Sequence, residues 1–184
     1  IMLNISRTRQ ERIRETVKIA LMAAIISVLG PLSVPLPFTP VPVSFAILAV
    51  YLTTYLLGAK TGTLSVIIYI LIGLAGLPVF SGFTGGAAKL VGPTGGYIIG
   101  FIFIALIGGF FADKFGGKFV MSFVGMVLGT AVCYLFGSLW LAYQMGLTLK
   151  QALIGGVVPY IAFDCVKMVF AVLLGKQVKP LINR

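Results

Sequence analysis

Phe119-Val-Met-Ser-Phe-Val-Gly-Met-Val-Leu-Gly-Thr-Ala-Val-Cys-Tyr-Leu-Phe-Gly-Ser-Leu-Trp-Leu-Ala-Tyr143 carries no charge from end to end. A helix needs about 20 predominantly apolar residues to cross the hydrocarbon core of a bilayer, and this run is long enough. The rest of the chain is built alike. Of its 184 residues 59% are hydrophobic and only 10% charged, with a mean hydropathy of +1.11. A soluble domain carries roughly 25% charged residues, so water could not solvate a surface made from so few. No charged stretch is long enough for a separate soluble unit. The expectation is a single all-α membrane domain over residues 1–184.

Further candidate spans are residues 17–34, 44–57, 61–77, 97–112 and 152–175. With 119–143 they predict a bundle of about six transmembrane helices, or five if the short 44–57 segment does not cross. Residues 1–18 are polar and basic, and no cleavable signal is expected there. Two segments do not read as helix. Residues 31–42 hold five prolines in twelve positions, which cannot continue a helix. Residues 80–96 form a glycine-rich loop. Uncharged irregular backbone at membrane depth must pack in protein or line a cavity.

Net charge is +10. In a soluble protein that would suggest nucleic acid, but here the cations lie between apolar runs and at the termini, where they act as orientation signals. With a cytoplasmic N-terminus, Arg7, Arg9, Arg12, Arg14, Lys18, Lys60, Lys114, Lys118, Lys176, Lys179 and Arg184 fall on the cytoplasmic side and only Lys89 and Lys150 on the other. Both termini are then cytoplasmic, and both irregular segments face outward. No basic face is left free of lipid for nucleic acid.

Chemistry has few places to sit. The chain has no His, which removes the commonest general base and transition-metal ligand. Cys133 and Cys165 lie in apolar runs without metal-ligand spacing and read as small buried hydrophobes. No catalytic residue, metal site or cofactor is expected, and the Gly-x-x-x-x-Gly-Lys-Ser/Thr phosphate loop is absent. Asp164 and Lys167 are the charged residues inside a span. Such charges are costly in lipid, and at spacing i, i+3 they share a helix face. They form either a structural ion pair or a polar ligand site suited to a urea-like, amide-like or zwitterionic group. In the 80–96 loop, Gly82, Gly85, Gly86, Gly92, Gly95 and Gly96 permit positive φ and close backbone approach to a ligand, and Gly82 and Gly86 are candidate ligand contacts. Lys89 is solvated or meets a ligand carboxylate. Phe38, Phe80, Phe83, Tyr97 and Tyr160 form an interfacial belt or wall an apolar pocket, with Thr94 beside them. Small residues at four-residue spacing, such as Ala20 and Ala24, Gly96 and Gly100, and Gly125 and Gly129, allow close helix approach. The first of these pairs offers a face for another membrane subunit.

Four pieces in order along the chain, Phe38-Thr-Pro-Val-Pro-Val43, Gly73-Leu-Ala-Gly-Leu-Pro-Val-Phe80, Gly92-Pro-Thr-Gly-Gly-Tyr97 and Asp164-x-x-Lys167, resemble the BioY family of biotin-specific substrate-binding (S) components of energy-coupling factor transporters. The resemblance implies a six-helix bundle in the bacterial plasma membrane that binds biotin from the extracellular side. It also implies partnership with a membrane coupling (T) subunit and, through it, two cytoplasmic ATPases. In the family the Asp and Lys of the last helix are associated with the biotin head group, which points to Asp164 and Lys167. An Ala-x-x-x-Ala face on the first helix docks the T subunit in related components, and Ala20 and Ala24 stand at the matching place. Biotin's ureido ring, thioether ring and carboxylate suit a buried Asp and Lys, aromatic walls and an outer lysine. The alternatives are an S component for another vitamin, or a stand-alone secondary transporter, although no internal repeat is evident. A membrane enzyme lacks both a nucleophile–base pair and a metal site.

Overall fold

The structure, a computed structural model, describes residues 2–182, with side chains from Arg9 onward. Arg184 and the side chain of Arg7, both assigned above to the cytoplasmic side, lie outside the described residues. Helix α1 (Met2–Leu29) is followed by strands β1 (Ser33–Leu36) and β2 (Thr39–Ser44) and by α2 (Ala46–Leu74). Next come α3 (Ala87–Val91), α4 (Gly95–Lys114), α5 (Phe119–Met145), α6 (Leu149–Gly156) and α7 (Ile161–Ile182).

The first helix is longer at its polar end and shorter at its apolar end than the 17–34 reading. It runs on through the basic residues because nothing in 2–16 breaks a helix, and it stops at Leu29 because Gly30-Pro31 follows. The proline-rich segment is not irregular throughout. It folds into an antiparallel two-stranded ribbon that pairs Ser33 with Ser44, Val34 with Val43 and Leu36 with Thr39, with an irregularity between Val34 and Leu36. In a two-stranded ribbon every strand has an open edge, so a proline facing that edge removes no ladder bond.

Two apolar segments read as separate helices, 44–57 and 61–77, are joined in α2 across Gly58. That residue has φ 74° and ψ −166°, a region only glycine occupies without strain. The chain folds back on itself there. A Cβ placed on Gly62 would stand 3.5 Å from the carbonyl oxygen of Thr53, whereas residues nine apart on a straight helix are separated by about 13 Å along its axis. Asp113, at the end of α4, holds the reversal. Its Oδ2 accepts the Ala59 N–H at 2.9 Å, and a Cβ on Gly58 would run into its carboxylate.

The last predicted span, 152–175, is a bent pair. Helix α6 is capped by Thr148, whose hydroxyl accepts the Gln151 N–H at 3.3 Å while the Gln151 side chain accepts the Thr148 N–H at 2.9 Å. Pro159 lies in the break, where it removes a backbone donor, and α6 differs in direction by 48° from Tyr160–Ile182, the stretch that contains α7. Among the described residues α2, α4 and α5 are each long and apolar enough to cross a membrane, and the bent α6–α7 pair makes a fourth if it is one span.

Helices α4 and α5 pack along their lengths through glycine. Gly100 faces Cys133, Gly129 faces the backbone of Ile104, and Gly96 faces Gly137 and Trp140. The core between α1, α2, α4, α5 and α7 contains Met22, Ile26, Val50, Tyr51, Tyr69, Phe80, Ile104, Met126 and Val172. On α1, Ala20 and Ala24 are exposed while Met22, Ala23 and Ile26 are buried, so the bundle itself does not use that pair.

Gly58→Ala is expected to destabilise the protein by on the order of 2 kcal/mol, because it combines a strained φ with a clash against Asp113. Thermal unfolding of the purified protein in detergent measures it, and an unchanged midpoint would show that the reversal does not depend on glycine.

Candidate functional site

Asp164 sits one turn into α7 and is 3% exposed. Its backbone N–H bonds to the Tyr160 carbonyl at 2.8 Å, which carries the helix register back across the α6–α7 bend. One carboxylate oxygen, Oδ1, receives Lys167 Nζ at 3.1 Å. The other, Oδ2, accepts the Tyr134 hydroxyl of α5 at 2.5 Å. Lys167 also donates to the Ser44 carbonyl at the end of β2, at 3.0 Å. The i, i+3 spacing thus yields a real ion pair whose remaining hydrogen-bonding capacity is spread over α5 and β2. A buried ion pair of this kind repays its desolvation only when such extra bonds are made.

Around it lies a cavity whose empty space, with its open mouth included, is about 620 Å³. Asp164, Lys167, Tyr134, Tyr160, Tyr97, Tyr69, Ser44, Ser81 and Thr94 supply polar atoms to its lining, and Val41, Ile47, Ile98, Phe101 and Cys133 are among the apolar ones. Several rings are fixed from behind. The Tyr97 hydroxyl shares a 3.1 Å hydrogen bond with Ser138, and its ring occupies a niche that exists because Gly137 and Gly156 have no side chains. Tyr160 donates to the Val41 carbonyl. One layer below, Tyr51 and Thr130 share a hydrogen bond of 2.8 Å.

Of the residues singled out from sequence, the cavity brings together Asp164, Lys167, Thr94, Tyr97 and Tyr160. Phe38, Phe80, Gly82, Gly86 and Lys89 are not in its lining. Phe80 turns into the core, edge-on to Tyr69 with ring centroids 5.5 Å apart. Phe38 is 66% exposed at the tip of the β1–β2 ribbon. Gly82 and Gly86 do adopt positive φ, 74° and 85°, but in open space, where they shape the turn before α3. Lys89 is half-buried on α3, and burial holds its ammonium pKa below the usual lysine value.

Sequence reasoning missed Tyr134, Tyr69, Ser44 and Ser81. For Tyr134 a signal was present: Thr130, Tyr134 and Ser138 stand four apart on α5, a polar stripe in an otherwise apolar helix. All three face inward, bonded to Tyr51, Asp164 and Tyr97 respectively.

Among the described residues no three His, Cys, Asp or Glu side chains gather to hold a metal. The donor set, a neutralised ion pair among aromatic and aliphatic walls, suits a compact organic ligand with a polar, uncharged head.

The chain is 39% identical over 168 residues to a Thermotoga maritima protein named "Biotin transporter BioY", an alignment covering 91% of this chain and 97% of that one. It is 38% identical to "Probable biotin transporter BioY" of Pyrococcus horikoshii, covering 90% and 96%, and 32% identical to "Biotin transporter BioY" of Lactococcus lactis subsp. cremoris, covering 94% of each. The fold superimposes with a TM-score of 0.86, at 32% identity and 93% coverage of both chains, on a crystal structure of the S-component for biotin from an ECF-type ABC transporter. With the BioY family matched over residues 4–184, across the ribbon, the α2 reversal and the Asp164–Lys167 helix alike, this chain belongs to the BioY family.

Proposed function

We propose that this chain is the biotin-specific S component of an energy-coupling factor transporter, a transport subunit rather than an enzyme. The observation that carries the reading is the buried Asp164–Lys167 pair on a cavity wall, in a chain whose relatives are named biotin transporters. A ureido group offers two N–H donors and one carbonyl acceptor. Asp164 can take the former and Lys167 can serve the latter, and the net-neutral pair favours an uncharged head. Tyr97, Tyr160 and Phe101 supply the apolar walls for the fused rings.

In this reading six segments cross the membrane: α1, the two arms of α2 on either side of Gly58, α4, α5 and the bent α6–α7 pair. Residues 1–184 form one membrane domain of the bacterial plasma membrane. The cation-rich ends face the cytoplasm and the cavity opens outward. Exposed Ala20 and Ala24 dock the T subunit, which brings the two ATPases. The chain needs no resident cofactor, and biotin is its cargo. Lys89 stands on the outward side as a cation near the ligand's carboxylate end.

Calorimetry on the folded, ligand-free protein in detergent is expected to show saturable heat with biotin, and competition with a panel of other vitamins to show none displacing it. No heat, or displacement by a different vitamin, would defeat the assignment. Asp164→Asn and Lys167→Ala are each expected to weaken binding at least tenfold, since one charge would be left buried without its partner; wild-type affinity in both would move the site elsewhere. Ala20→Leu combined with Ala24→Leu is expected to leave biotin binding intact and to abolish co-purification of a co-expressed T subunit. Retained assembly would place the docking surface on another face.

A further inference from the structure

Four lysines gather at one end of the bundle. Lys114 closes α4 and Lys118 immediately precedes α5. Lys176 and Lys179 stand near the end of α7. All four surround the turn that joins α4 to α5. Lys114 Nζ lies 5.8 Å from the centre of the Phe115 ring, and Lys176 Nζ lies 5.3 Å from the centre of the Phe119 ring. Lys179 Nζ would stand 3.0 Å from a Cβ placed on Gly117. It donates to the Tyr55 carbonyl at 3.4 Å, and the Tyr55 hydroxyl donates to the Gly117 carbonyl at 2.9 Å. The turn and the end of α7 are thus tied through α2, and aromatic faces hold the ammonium groups in place.

Among the described residues none of the four has a carboxylate within ion-pair distance. Asp113, beside Lys114, gives one oxygen to the Ala59 N–H. Like charges gathered in this way repel, and an anion set among them removes the repulsion. Membrane depth identifies the kind of anion. Span α4 ends at Lys114 and span α5 begins at Phe119, so the turn lies where hydrocarbon gives way to headgroups. An exposed apolar face leads to it. Val166, Val169 and Leu173 of α7 are exposed, and with Lys176 they recur every three or four residues, on one side of the helix. On α5, exposed Val120 adjoins Phe119. A molecule that covers this face with hydrocarbon and ends in a phosphate satisfies both parts. A soluble anion satisfies only the lysines.

We infer that Lys114, Lys118, Lys176 and Lys179 form a docking surface for the phosphate headgroup of an anionic phospholipid, whose acyl chains lie along the apolar face of α7. The lipid bridges the α4–α5 turn and the end of α7. It sits away from the ligand cavity, whose Asp164 is in the first turn of that helix, and the inference does not depend on what the cavity binds. A headgroup with net negative charge is preferred over a zwitterionic one, because a choline ammonium would bring a further cation to the lysines.

Native mass spectrometry of the purified protein tests this, in mixed micelles with phosphatidylglycerol or with phosphatidylcholine of the same acyl chains. Wild type is expected to retain phosphatidylglycerol in preference. Lys118 and Lys176 are exposed, so Lys118→Gln combined with Lys176→Gln leaves the packing intact. That double variant is expected to bind phosphatidylglycerol at least tenfold more weakly, at roughly fivefold per lysine, with phosphatidylcholine unaffected. Arg12→Gln combined with Lys150→Gln removes the same charge from exposed positions elsewhere and is expected to keep the preference. Excess inorganic phosphate is expected to leave the lipid bound. No preference in wild type, or an equal loss in both double variants, overturns the docking surface. Complete displacement by inorganic phosphate, or a dimer in place of the lipid that the Lys118/Lys176 variant loses, overturns it as well, in favour of a soluble anion or a second copy of the chain.

Discussion

A carboxylate taken out of water inside a membrane bundle must find partners for both of its oxygens, and Asp164 finds them on different elements. Lys167, on its own helix, occupies one oxygen and Tyr134 of α5 the other, and Lys167 reaches on to the Ser44 carbonyl of β2. Removing one member of a buried pair costs about 3–5 kcal/mol, so α7, α5 and the ribbon are held in one arrangement. The cavity is the space this arrangement encloses. Lipid gives helices no hydrophobic reason to associate, which makes such polar ties, together with close backbone packing, the determinants of where α7 sits.

Close packing does the rest. Glycine at positions 96, 100, 129 and 137 brings α4 and α5 near enough for Tyr97 to be set between Gly137 and Gly156 with its hydroxyl on Ser138. The aromatic wall is therefore built before any ligand arrives, which lowers the ordering cost of binding. At the other end of the bundle Asp113 accepts the Ala59 N–H and fixes the turn at Gly58. The two arms of α2 are joined there without a loop, so Tyr51 on one arm and Tyr69 on the other are both inside the protein.

The residues that were legible and those that were not differ in how much their chemistry restricts them. Asp164 and Lys167 could be found because a charge in a span has few tolerable environments. Phe38 and Phe80 were read alike, as aromatics near the outward ends, yet one is exposed on the ribbon tip and the other lies in the core. Nothing in an aromatic's sequence position near a helix end fixes whether it turns inward. Of the six loop glycines read as able to take positive φ, only Gly82 and Gly86 do so, and a backbone conformation says nothing about what it faces. Tyr134 escaped because one tyrosine in an apolar helix resembles any other until its partner across the bundle is known.

Hydrophobic run lengths by themselves determined that this is a helical membrane protein, because the bilayer imposes one length and one hydrogen-bonding solution on each crossing segment. Intramembrane charge and residue order along the chain determined its family and the helix that carries the polar pair. Tertiary structure decided that the proline segment pairs into a ribbon, that two apolar runs join at Gly58, that Pro159 marks a 48° bend, and which hydroxyls meet in one cavity. Those outcomes depend on contacts between residues far apart in the chain, such as Tyr134 with Asp164 and Ser44 with Lys167, and local pattern does not encode such distances.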